Sequence, residues 1–504
     1  MPMKKSVLAA AAAFLMVGMA QAAPSFINGL TIPASTGDQF GTSVNDGRLG
    51  MFSDLYYDRN ANEWWGLSDR GPGGGTLSYQ ARVQRFTLDV NAVTGAISNF
   101  QVVQTVKFSD GGVAFNGLAP NPAGVLGSAL DPEGLAVNPR NGRLLVSDEY
   151  GPSLYEFNRD GQLLRRFNTP ANLVPKVAGV ADYNAAPPSG AGTLTSGREG
   201  NRGFEGLAIS PDGRFAYAML QNGTVTDGNV VSGALARGMY TRIVKFDTDT
   251  GEAVGQFAFR LDGAGPAPAQ GRGISAIVAL DDHRFMVLER NNRGIGVPNA
   301  NVAAPDKKVY VIDLAGASDV TGIDLNNPLP PGTNAVQKSA SALLDLAAAS
   351  TLAHPSLAAL GGRSPEKWEG LTVGPQLADG SFVLLAGTDN DYSVTQNGSN
   401  LQFDVYYHPG TGARLQCDLG ATTNCFNILA NGNVEATNLG DLPTGYALIP
   451  GVLHAYKASA ADLGGYLAPV PEPGSSALFL AGLLGLGAAA RRGTLRPRGG
   501  GRPS

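Results

Sequence analysis

Three glutamates in this chain stand directly before a Gly-Leu pair: Glu133 in "DPEGLAVNPRNGR", Glu205 in "NRGFEGLAISPDGR" and Glu369 in "EKWEGLTVGPQLADG". Each stretch continues alike, with an apolar strand-like run, a polar turn, and a second run ending in polar residues, charged in the Glu133 and Glu369 copies. The turns "NPRNGR" and "SPDGR" carry the Asn, Asp, Gly and Pro that hairpin connections require. The charged endings supply Asp148 and Glu149 in "SDEYG", and Asp389 and Asp391 in "TDNDY". Two weaker copies start at Ser53 and Ser275. They end in Asp69 with Arg70 and in Glu289 with Arg290.

Carboxylates repeated in register repel one another unless a cation, an Arg or a Lys neutralises them. A hard divalent ion with six to eight oxygen ligands, such as Ca²⁺, is the simplest partner. The expected ligands are Glu133, Asp148, Glu205, Glu369, Asp389 and Asp391. Arg70, Arg202, Arg290 and Lys367 would hold an anionic substrate, and Asp69 or Glu149 would orient an attacking water. The four histidines show no metal-ligand spacing, which argues against zinc. There is no G-x-S-x-G elbow, H-E-x-x-H or P-loop, so a hydrolase of this sequence would activate water rather than a serine. A structural role is the competing reading. Turn Asp and Asn bond their own backbone, Asp69 and Arg70 can pair within a tight turn, and Glu-Gly-Leu can serve to close blades. Trp64 and Trp65 read as core.

To bring such distant residues together, the chain must repeat one unit around an axis. Further alternating runs follow each hairpin, among them "SLYEFNRDGQLLRRF" and "TRIVKFDTDTGEAVGQFAFRL". Four antiparallel strands recurring every 70 to 95 residues or so mark propeller blades. The expected fold is an all-β propeller of five to six four-stranded blades with a short helical insert, "QKSASALLDLAAAS". A sixth blade would be assembled from "SFINGLTIP" and the last strands before Lys457. The innermost strand of each blade lines a central channel, so the residue before it sits at the channel mouth. An antiparallel second strand returns to that same face. Two inserts, 170–200 and 322–365, enter at this end.

The two termini read as addresses. Lys4 and Lys5, the run "VLAAAAAFLMVGMA" and "AQA" make residues 1–22 a secretory signal. Residues 25–457 form the propeller domain and 458–473 a linker ending in Pro-Glu-Pro. Residues 474–504 hold an apolar segment, a candidate transmembrane segment, with an Arg-rich tail. Without the leader's two lysines and the tail's five arginines, 30 basic residues remain against 42 acidic ones. A body so acidic is no partner for nucleic acid. Cys417 and Cys425, the only cysteines, lie eight apart and suit one small disulfide in an exported protein.

The ordered set "GLSDRGPGG", "DPEGLAV" with "LLVSDEYGPSLYEF", "NRGFEGLAISPDGR", "GISAIVALDDHRFMVLERN", "KVYVIDLAGASDV" and "KWEGLTVGP" with "GTDND" resembles the phytase-like family, described as esterase-like activity of phytase. The resemblance covers most of Ser25 to Lys457. It implies a β-propeller and hydrolysis of a small-molecule ester or phosphoester. The Cys-containing region between Asp391 and Leu453 departs from the pattern. The Pro-Glu-Pro, apolar run and Arg491-Arg492 resemble the PEP-CTERM sorting signal. This implies processing by exosortase-type machinery and attachment to the cell surface, outer membrane or extracellular matrix of a Gram-negative bacterium. A monomer is expected. Two rivals stay open: a non-catalytic propeller binding polysaccharide or a partner protein, and a Ca²⁺-dependent lactonase-like propeller.

Overall fold

The computed structural model describes residues 23–468, except 42–44, 185–193, 229, 232–233, 236–237, 264–270, 298–300, 396–401 and 430. The leader and the Pro-Glu-Pro tail with its apolar run lie outside the described residues. Among the described residues, no helix is long and apolar enough to cross a membrane.

Five antiparallel sheets follow the repeat. Blade 1 holds strands Asp54–Asp58, Glu63–Leu67, Arg82–Val90 and Ile97–Lys107. Blade 2 runs from Pro132–Val137 to Leu163–Arg166, and blade 3 from Phe204–Ile209 to Tyr240–Asp247 and Ala253–Arg260. Blade 4 begins with Gly273–Ala279 and Arg284–Arg290, and blade 5 with Trp368–Gln376 and Phe382–Thr388. The first strands of the five blades neighbour one another in sequence order, and that of blade 5 lies against that of blade 1. This closes a ring around a channel. The apolar core lies between successive sheets, with Trp65, Leu135 and Phe157 between blades 1 and 2 and Leu55, Phe52 and Leu453 between blades 5 and 1.

Ring closure differs from the sixth blade that the sequence suggested. Gly451–Ala458 pairs with Phe382–Thr388 on one side and with Ser25–Ile32 on the other. The two chain ends therefore complete blade 5. Sealing a ring with strands from both ends ties its closure to the chain as a whole.

The helical pattern of "QKSASALLDLAAAS" is also largely overridden. Gln337–Lys338 and Leu344–Asp345 pair with the free edge of Lys307–Asp313 as the outer strand of blade 4. Only Ala349–Leu352 is α-helical, followed by a 3₁₀ turn at Pro355–Leu360. An unpaired sheet edge with room for Leu344 and Leu346 in its core outweighs the modest helix preference of Ala and Leu.

The departure between Asp391 and Leu453 is a separate five-stranded sheet, inserted before the last strand of blade 5. Cys417 and Cys425 are joined in a disulfide there. The insert is anchored to the rim by Arg48 on Asp404 at 2.5 Å and by Arg414 Nη1 donating to the Val297 carbonyl at 2.6 Å.

Candidate functional site at the channel mouth

Glu-Gly-Leu has a local structural explanation. In blades 2, 3 and 5 the pairing between the first two strands slips at the glutamate: Pro132 pairs with Asp148 and Gly134 with Ser147, leaving Glu133 as the extra residue. The same slip leaves out Glu205, Glu369 and, in blade 4, Ser275. A bulge of this kind bends the strand and re-aims one side chain. The glycine that follows serves close approach. A Cβ on Gly206 would sit 2.6 Å from the Ile277 nitrogen, and one on Gly134 would sit 2.7 Å from the Glu205 carbonyl oxygen. Each glycine thus lets the next blade's first strand lie against its own.

The register returns the second strands to this face. Asp148, Leu220, Glu289 and Thr388 pair beside the bulges. The residues just beyond them, Glu149, Gln221, Arg290 and Asp389, stand over the mouth. Backbone bonds hold these ends in place, with Glu149 N donating to Asp131 O at 2.8 Å and Asp389 N to Lys367 O at 3.1 Å.

Two groups of three carboxylates have ligand atoms within 4.8 Å of one another: Asp131, Glu133 and Glu149, and Asp69, Asp389 and Asp391. All six residues are buried. Arg70 Nη1 lies 2.6 Å from Asp131 Oδ2 and 3.9 Å from Glu149 Oε2. Asp131 Oδ1 and Glu149 Oε1 are buried and no donor group among the described residues reaches them; the two carboxyl groups lie within side-chain hydrogen-bonding reach of each other. In the second group, Asp69 accepts from Gly71 N at 2.9 Å, and Lys367 bonds both Asp389 and Asp391.

The three repeated glutamates share one electrostatic space without forming one ligand set. Burial first, then the charges of Glu205, Asp131, Glu369 and Glu149, push the Glu133 carboxyl well above its usual range. Burial and the charges of Glu149 and Glu369 do the same to Glu205, against the pull of Arg290 and Lys367. Yet among the described residues neither Glu205 nor Glu369 joins either group of three. Glu205 is instead bonded by Gln221, and Glu369 by Arg290. Burial carries Asp69 and Asp131 up to about 7, each further raised by neighbouring carboxylates and restrained by Arg70 and Lys367.

Other expected residues are placed differently. Asp148, expected among the ligands, turns into its own loop and accepts from the Asp131, Tyr150 and Gly151 amides. Arg202 Nη1 donates to Gln221 and Asn222 at 2.7 and 2.6 Å. It shares with Arg290 a cavity of about 100 Å³ that Ser275 and Asn292 also line. Lys367 lies against two carboxylates rather than facing open space. Glu289 belongs elsewhere, bound to Arg272 and Lys338 on the flank of blade 4. Asp131 is the functional candidate that sequence reasoning passed over. Its signal was the Asp-Pro directly before the first Glu-Gly-Leu. Asp54 is a further buried acid, whose carboxylate accepts from Leu55 N and, across the blade boundary, from Leu135 N, each at 2.8 Å. It ties two inner strands together.

Ring and site together define a propeller with an acidic mouth. The chain belongs to the phytase-like family, described as esterase-like activity of phytase, which matches residues 47–392. The PEP-CTERM protein-sorting motif matches residues 469–492, and the protein is exported. A secreted protein of Arthroderma benhamiae, described as uncharacterized, is 27% identical over 248 residues. These cover 39% of this chain and 48% of that protein, so the chain spans about half the length of this curated relative. Similar solved structures include the Dos1 propeller, at 9% identity over 81% of this chain and 68% of that one, with a TM-score of 0.25. A streptogramin B lyase is 10% identical over 86% of this chain and 99% of that one, with a TM-score of 0.27. Likenesses at these scores say nothing about activity.

Proposed function

We propose that this exported propeller hydrolyses phosphate or carboxylic esters at its channel mouth with the help of a divalent cation. One observation carries the reading: Asp131 and Glu149, two carboxyl groups of one ligand-spaced group and within hydrogen-bonding reach of each other, each bury an oxygen that no donor group among the described residues reaches. Both groups are all-carboxylate, a donor set that suits Ca²⁺. Such a cation would polarise a phosphoryl or carbonyl oxygen and make nearby water more acidic. Glu149, beside the cation, would orient that water. Asp69, raised to about 7, is suited to holding or releasing a proton near neutrality. Arg290 and Arg202 give the adjoining cavity a basic lining for the anionic part of a substrate. The protein would work as a monomer on a small-molecule ester. Its place would be the surface, outer membrane or matrix of a Gram-negative bacterium, after exosortase-type processing.

Purified protein is assayed on p-nitrophenyl phosphate, p-nitrophenyl acetate, phytate and a lactone, with added Ca²⁺ or EDTA. Turnover on an ester or phosphoester that EDTA abolishes and Ca²⁺ restores is expected. Glu133→Gln should lower it on the order of 100-fold while the protein stays folded. Turnover indifferent to chelation would remove the mechanism. Activity confined to the lactone would favour the lactonase-like alternative, and none at all a binding propeller.

A further inference from the structure

We infer that the mouth is a one-ion centre, in which a divalent cation is held by Asp131, Glu133 and Glu149 while the ammonium of Lys367 permanently closes the second acidic group. The inference rests on the reading above for the presence of a cation. It adds where the ion sits and why there is one.

Each group consists of three buried carboxylates. The groups differ in what satisfies them. In the second group, Lys367 Nζ lies 2.8 Å from Asp389 Oδ2 and 2.6 Å from Asp391 Oδ1. Asp389 Oδ1 accepts from Asp391 N at 2.7 Å, and Asp69 Oδ1 from Gly71 N at 2.9 Å. No oxygen of this group is left buried and unpartnered. The lysine is a compact point charge, and its own backbone is fixed by the bond from Asp389 N. It occupies the place an ion would take.

In the first group the resident cation falls short. Of this group's oxygens the Arg70 guanidinium bonds Asp131 Oδ2 alone; it remains 3.9 Å from Glu149 Oε2 and donates its other bond to Asn201 Oδ1 at 2.5 Å. It leaves Asp131 Oδ1 and Glu149 Oε1 without a donor, on side chains 0% and 2% exposed. A buried acceptor without a partner is costly, and a charged one more so. The two carboxyl groups lie within hydrogen-bonding reach of each other, so one hard cation would relieve both, with Glu133 as the third ligand. The Asp131 and Glu149 backbones are joined by a 2.8 Å bond, so their carboxylates are presented on a common frame.

Calcium chloride titrations by calorimetry, with ion stoichiometry from equilibrium dialysis, test this on the wild type, Asp131→Asn, Glu149→Gln, Asp389→Asn and Lys367→Met. Circular dichroism confirms the fold of each, and Lys367→Gln replaces Lys367→Met should that variant misfold. The wild type should bind one ion. Asp131→Asn and Glu149→Gln should each weaken binding at least about 100-fold, and Asp389→Asn by less than about tenfold. Removing the lysine should add a second ion. Two ions in the wild type, none, an Asp389→Asn loss equal to that of Asp131→Asn, or no gain without the lysine would each overturn the inference. Turnover is not read here. An ion bound as described, with no hydrolysis of the substrate panel, would sink the proposed function and leave this centre standing.

Discussion

Lys367 Nζ reaches Asp389 and Asp391 across 2.8 and 2.6 Å, and the two carboxylate side chains it joins are only 1% and 3% exposed. Asp391 opens a run of three non-glycine residues in left-handed conformation, with φ of 48° at Asp391, 55° at Tyr392 and 56° at Ser393. Each such residue costs about 1–2 kcal/mol. Surrounding bonds hold the run in place. Ser393 Oγ donates to the Ile449 carbonyl at 2.6 Å, and Arg48 Nη1 to the Tyr392 carbonyl at 3.0 Å. The lysine is the charge that makes this arrangement tenable. Lys367→Met should therefore destabilise the metal-free protein by about 3 kcal/mol, because it leaves two buried carboxylates uncompensated. Urea denaturation in EDTA measures this. A loss under about 1 kcal/mol would mean the pair behaves as a surface contact.

The acidic mouth sets a pH dependence with a definite sign. Burial raises Asp69, Asp131 and Asp148 from ordinary values near 3.8 to about 7. Between those limits the folded protein holds protons that the unfolded chain has released, so stability is greatest below about pH 4 for these groups and falls as pH rises toward 7. Melting temperature in EDTA should drop from pH 5 to pH 7.5. Saturating Ca²⁺ should flatten or reverse the trend, since ligands must shed protons to bind. A metal-free curve that rises across this window would contradict the burial of charge at the mouth.

The Glu-Gly-Leu glycines should not tolerate a methyl group equally. At Gly206 the added Cβ meets backbone, 2.6 Å from the Ile277 nitrogen. At Gly370 it meets side-chain atoms of Leu55, at 2.7 Å from Cγ, which can shift. Gly206→Ala should cost about 3 kcal/mol and Gly370→Ala about 1 kcal/mol. Chemical denaturation of the two variants checks the order, and equal losses would mean the inner strands move apart freely.

The sequence displayed the ring because each blade repeats its own local signals. Turn residues, alternation and Glu-Gly-Leu recur in order, so the first strands of blades 2, 3 and 5 and the return of their second strands to one face could be read directly. What escaped was set by partners far away in the chain. That Ser25–Ile32 meets the last strand before Lys457 was legible, but nothing in either segment announces that both join blade 5, because the edge of Phe382–Thr388 that receives Gly451–Ala458 carries no mark in the sequence. Leu344 reads as helix until the edge of Lys307–Asp313 is there to pair with it. At the site, type and spacing identified Glu133, Glu149, Asp389 and Asp391. They could not show that Lys367 would neutralise the last two, or that Asp148 would turn into its own loop. Those outcomes depend on side-chain direction, which a bulge or a left-handed residue changes without a mark in composition.

His454 offers a test away from the mouth. It lies on the strand between Ser25–Ile32 and Phe382–Thr388, opposite Gly29 and Ala386. Its ring is fully buried, with its centroid 4.3 Å from that of Trp368 and 5.1 Å from that of Phe26. Nδ1 is 3.2 Å from the Tyr456 hydroxyl, and Nε2 has no partner. Burial pushes the imidazole down to about 3. In the unfolded chain it takes a proton near pH 6.5, so its contribution is complete above that value and is lost as pH falls toward 3. The loss approaches about 1.4 kcal/mol per pH unit once the unfolded histidine is charged. His454→Phe keeps an aromatic ring in the apolar site and has nothing to titrate. The stability of the wild type minus that of this variant should therefore fall by about 2 kcal/mol between pH 7 and pH 4.5, whatever the carboxylates do to both proteins alike. Denaturation curves at the two pH values give that difference directly. Parallel behaviour would mean that the folded ring accepts a proton, and that blade 5 opens where the two chain ends meet.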